Sequence, residues 1–64
     1  MENSMTYQVF FTLTGEKKGD PTDLPKALHE ARSLAKWNHP CHVIETTSGV
    51  IVFVARAHQE KVVA

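Results

Sequence analysis

Read for apolar and polar positions, the chain shows three stretches with a clear period. In residues 5–14, Met5, Tyr7, Val9, Phe11 and Leu13 alternate with Thr6, Gln8, Thr12 and Thr14, the two-residue period of a half-buried strand. Phe10 interrupts that alternation by placing an aromatic on the otherwise polar face. Leu24, Ala27, Leu28, Ala31, Leu34 and Ala35 then recur at the spacing of one helical stripe. Three of those six are alanine, which lets a helix approach a sheet closely. Cys41-His42-Val43-Ile44-Glu45 and the apolar run Val50-Ile51-Val52-Phe53-Val54-Ala55 flank Thr46-Thr47-Ser48-Gly49, whose turn chemistry predicts a β-hairpin.

The boundaries follow from local chemistry. Thr22 or Asp23 can cap the helix, and Pro25 is tolerated because a first-turn N–H has no intrahelical partner. Asn38 and Pro40 end it, with Trp37 on the flank of the stripe. Residues 15–21, GEKKGDP, read as a solvated, mobile loop with glycine near both ends. Residues 1–4 read as a frayed terminus. The tail, 56–64, is short and amphipathic, and the pattern does not decide whether Val62 and Val63 pack back or stay loose.

These elements predict a single α+β domain of order β-α-β-β: a three-stranded sheet in order 1-3-2 with one helix on one face. The third strand is placed in the middle because it is apolar on both sides, with Val50, Val52 and Val54 pointing one way and Ile51, Phe53 and Ala55 the other. One helix cannot cover both faces. Phe10, with either Val43 or Ile44, is expected to join an uncovered apolar patch. Burying three or four such side chains is worth roughly 5–10 kcal/mol before ordering costs. The first strand is also expected to be an edge with no charge or proline to guard it. Both features predict a homodimer, with Phe10, Val9, Phe11 and Phe53 as its candidate elements. A tail folded over the open face, leaving a monomer, is the competing expectation.

Composition sharpens this picture in three ways. A chain of 64 residues buries only about 60% of its unfolded surface, which leaves its stability marginal without a partner. Seven acidic and seven basic side chains cancel, so no global field draws in nucleic acid. The single cysteine, Cys41, cannot form an internal disulfide, and no signal peptide or long apolar segment is present, which predicts a cytoplasmic protein with no membrane contact.

Candidate chemistry is sparse. His39, Cys41 and His42 group two imidazoles and a thiol, but adjacent extended positions point Cys41 and His42 to opposite faces, and nothing fixes His29 or His58 nearby. Cys41 therefore reads as a packing residue. Glu30 and Glu45 form no carboxylate pair, and Asp20 and Pro21 stand where a phosphate loop needs N–H donors. No catalytic, cofactor or metal site is expected, and the protein reads as a non-enzyme. Lys26, His29, Arg32 and Lys36 make the outer helix face basic against a lone Glu30; with Lys17, Lys18 and Trp37 they are the candidate contacts for another protein. The alternative is a nucleic-acid binder using Lys26, Arg32 and Lys36.

Ala27-Leu28 followed by Ala31, Ala35, Lys36 and Trp37, then a short break and a strand pair, resembles the small β-α-β-β accessory proteins of phages, inhibitors of host RNA polymerase among them. The resemblance covers about the middle third of the chain. It implies a small inhibitor or regulator that binds a larger machine sterically or competitively. Such an inhibitor relies on acidic residues where this helix face is basic, so its polymerase target is not carried over.

Overall fold

The computed structural model describes residues 5–57 and 59–63. The expected fraying of residues 1–4 and any role of His58 lie outside the described residues. Six elements follow in chain order: β1 (Tyr7–Phe11), β2 (Lys17–Thr22), α1 (Leu24–Lys36), β3 (Cys41–Glu45), β4 (Ile51–Arg56) and β5 (Gln59–Val62). The strands form one antiparallel sheet of order β2-β1-β3-β4-β5. The α+β character holds, but the three-stranded 1-3-2 sheet does not.

Two additional strands account for the difference. Residues 15–21, expected as a loop, contribute most of β2, which turns back from β1 and pairs with it. Between Tyr7↔Thr22 and Val9↔Lys18 this strand bulges, and Gly19 takes φ 70. The bulge frees carbonyls that the buried Gln8 amide satisfies, donating to the oxygens of Lys18 (3.1 Å) and Gly19 (3.0 Å). Four residues of the tail, Gln59–Val62, become β5, paired with β4 from Phe53↔Val62 to Arg56↔Gln59. β1 thus has a neighbour on each side and is not an exposed edge, and its pairing ends at Phe11, leaving Leu13 81% exposed in a turn.

The central strand is β3, not the apolar run of β4. That run is two-sided for another reason. β4 carries a bulge, with Val43 opposite Phe53 but Ile44 opposite Ile51. Val52 is the extra residue and packs against the core, while Ile51 shares the face of Ile44.

α1 lies on one face of this sheet. Asp23 is its cap, accepting from the Lys26 N–H at 3.0 Å. Its end is closed by a Schellman pair: Asn38 donates to the Ala35 oxygen and His39 to that of Leu34, with Asn38 at φ 67. Ala27, Ala31 and Ala35 are fully buried against Val9, Cys41, Val43, Phe53 and Ala55. The small alanine side chains set the close helix-to-sheet contact.

The β3–β4 turn is held by a carboxylate. Glu45 accepts from the N–H groups of Thr47 (2.8 Å) and Ser48 (2.9 Å) and from Ser48 Oγ (2.7 Å). These bonds, the Ser48 hydroxyl foremost, hold its pKa down to about 2. A depressed carboxylate stabilises the fold above its unfolded value and loses that contribution as pH falls through the folded one. The thermal midpoint is therefore expected to drop between about pH 4.5 and pH 2. Glu45→Gln should flatten that part of a calorimetric pH series, and superimposable profiles would show that the turn carboxylate does not contribute.

Candidate functional site

Strand register sorts the sheet into rows running across it. On the helix side, Lys18, Val9, Val43, Phe53 and Val62 form one row, and Phe11, Cys41, Ala55 and Glu60 another. On the opposite face, one row crosses all five strands: Lys17, Phe10, His42, Val54 and Lys61. Beside it, Ile44 lies between Gln8 and Ile51. No element among the described residues covers this second face. Phe10, Ile44 and Val54 remain half-exposed there, Ile51 is 39% exposed, and Val63 is bonded to β4 at Val52.

His42 sits in the middle of that row. Its ring lies parallel to Phe10, with centroids 5.6 Å apart and planes 8° from each other, and Nδ1 is 3.0 Å from Thr12 Oγ1. Burial among these neighbours lowers its pKa.

The four candidate dimer residues divide between the two faces. Val9 and Phe53 are 1% exposed beneath the helix, and Phe11 packs against the same core with His39 edge-on to its ring. Phe10 alone of the four stands on the open face.

The candidate contact residues also divide. A groove of about 720 Å³ runs between α1 and β2, lined by Lys18, Lys26, His29, Glu30, Leu34 and Trp37 among others. Four of the seven candidates, Lys18, Lys26, His29 and Trp37, meet there. Trp37, at the C-cap, is 76% exposed. Lys18 pairs with Glu30 at 3.7 Å. Lys17 lies on the open sheet face instead. Arg32 and Lys36 line a shallower depression with Arg56 and Glu60 on the far side of the helix. There the Arg32 guanidinium reaches over the Phe53 ring, 5.4 Å from its centroid, and its Nε bonds Glu60 Oε1 at 3.0 Å. That half-exposed pair is worth about 0–1 kcal/mol, and its geometric role is to tie α1 to β5.

The His39, Cys41 and His42 cluster does not converge. Cys41 is buried under the helix with Sγ donating to the His39 oxygen at 3.0 Å, while His42 is on the opposite face. Burial, with Glu30 next, raises the thiol pKa, away from a reactive thiolate. Among the described residues no group of three or more His, Cys, Asp or Glu side chains could hold a metal ion. No helix among them is long and apolar enough to cross a membrane.

Sequence reasoning marked Phe10 through its break in the alternation but missed His42 as its companion. That pairing depends on β1 lying beside β3, which no local pattern encodes. Comparison with protein families, with characterised proteins and with solved structures returns no match.

Proposed function

We propose that this chain is a small non-enzymatic binding protein, active as a homodimer, that works by occupying a surface of a larger protein. The observation that carries the reading is the sheet's one-sided cover: Phe10, Ile44, Ile51 and Val54 share a face on which no element among the described residues packs. A second copy is the occupant the sheet edges favour. Extension through β2 is opposed by Pro21, which lacks an N–H, by the bulge at Gly19 and by two lysines. Extension through β5 about a two-fold axis must keep residues on their own faces. Its two centred registers set Glu60 against Glu60, or Lys61 against Lys61, of the other copy. Face-to-face packing uses neither edge, and it sets Lys17 and Lys61 of each copy at its rim.

The groove between α1 and β2 lies on the helix side and stays free in such a dimer. An exposed tryptophan beside Leu34, rimmed by Lys18 and Lys26, has the aromatic and amphipathic character of a protein contact. The nucleic-acid reading has less support. Arg32 is engaged with Phe53 and Glu60, and Lys26 and Lys36 stand ten positions, or about 15 Å, apart along the helix.

Light scattering across a concentration series tests the reading. A mass approaching twice the 7.2 kDa of one chain is expected. A mass of one chain throughout would remove the homodimer.

A further inference from the structure

The two edge strands are held in different ways. β2 runs directly into α1 and is anchored by the buried Gln8 amide, which donates to the oxygens of Lys18 and Gly19. Among the described residues β5 pairs with β4 alone, and all four of its side chains are exposed. Val62 is 72% exposed and borders a cavity of about 70 Å³ with Leu24, Leu28, Val52 and Phe53 rather than filling it. The one side-chain hydrogen bond of β5 among the described residues is that of Glu60 Oε1, which accepts from Arg32 Nε in a half-exposed pair.

Backbone bonds to β4 therefore do most of the holding. Val63 donates to the Val52 oxygen at 3.0 Å. The antiparallel register repeats that orientation every second residue, so Lys61 and Gln59 also face β4, while the N–H groups of Glu60 and Val62 face outward. By the same alternation, Val54 and Arg56 on β4 face β5, whereas Phe53 and Ala55 face β3. The two sides of β4 differ sharply in support. Toward β3, Val43, Phe53, Cys41 and Ala55 are all buried beneath the helix. Toward β5, the bonds are exposed and little apolar surface is shared, the features of a segment that opens at low cost.

We infer that β5 is a releasable strap: it parts from β4 as a unit while the other four strands and α1 stay folded, with the Arg32–Glu60 pair as its latch. Parting bares the backbone N–H and C=O groups of Val54 and Arg56 and opens the side of Phe53 that lies opposite Val62. β4, the most apolar strand of the sheet, then becomes an edge, the form in which a strand pairs with another extended segment. The strap thus controls access to that edge, and it does so in a monomer or a dimer alike.

Native-state amide hydrogen exchange of the full chain at pH 7, read residue by residue by NMR, tests this. After correction for intrinsic rates, the amides of Lys61, Val63 and Val54 should share one opening equilibrium and exchange at least about ten-fold faster than those of Phe53 and Ala55. Glu60→Gln should speed the first group by up to about five-fold. Glu45→Gln loosens the β3–β4 turn, which strap opening leaves intact, so it should speed Phe53 and Ala55 and leave Lys61 and Val63 unchanged. Equal protection at all five amides would make β5 part of one cooperative unit with the core and overturn the strap. Acceleration of Lys61 and Val63 in Glu45→Gln, in step with Phe53, would overturn it as well. Val54 as slow as Phe53 beside unprotected Lys61 and Val63 would show fraying by single residues instead of release as a unit. A first group unchanged in Glu60→Gln would remove the latch.

Discussion

Phe53→Ala is expected to leave a large fraction of the protein unfolded at 25 °C. The ring is 1% exposed, lies between Val43 and Val62 in the helix-side row, and is covered by the Arg32 guanidinium. Truncating a buried phenylalanine costs about 3–5 kcal/mol, because the lost transfer energy is joined by the cavity left behind. A domain of this length has a total of about 3–10 kcal/mol to lose. The alanine stripe on the other side cannot refill the space, since Ala27, Ala31 and Ala35 have no flexible side chains to move inward. Urea denaturation followed by circular dichroism measures the loss. A midpoint unchanged from the wild type would place Phe53 outside the core and overturn the register of β3 with β4.

Phe10→Asp is expected to abolish the dimer while the chain remains folded. Phe10 is only half-buried within one copy, so its loss costs the monomer about 1 kcal/mol, the size of an ordinary partly exposed substitution. In the dimer the new carboxylate sits in the row between Lys17 and His42, facing apolar side chains of the second copy. Desolvating that carboxylate costs several kcal/mol even with Lys17 beside it, which exceeds what a contact of this size can supply. Light scattering should return the mass of one chain at concentrations where the wild type has twice that mass. A dimer of unchanged mass would show that association does not use this face.

Much of this architecture is legible in the residues. The β3–β4 hairpin, the helix, its Asp23 cap and its alanine stripe each have a local cause, whether β-branched runs, turn residues or 3.6-residue spacing. β2 has no such cause. KKGDPT is charged and contains glycine and proline, and it is extended because β1 offers unpaired backbone groups and Gln8 fills its bulge. β5, QEKV, is exposed at all four positions, so it has no buried side to generate an alternation. The order of strands was misread for a related reason: apolarity on both sides of β4 comes partly from a bulge at Val52, not from a central position. At the candidate site, Phe10 was visible as a break in a pattern. His42 became its partner only through cross-strand register, which is a property of the folded sheet.

The occupant of the open sheet face is tested most directly by nuclear Overhauser contacts in a mixed dimer of isotope-labelled and unlabelled chains at neutral pH. The account predicts intermolecular contacts from Phe10, His42, Ile44, Ile51 and Val54. Contacts confined to β2, β5 or the helix, or the absence of any between copies, would contradict it.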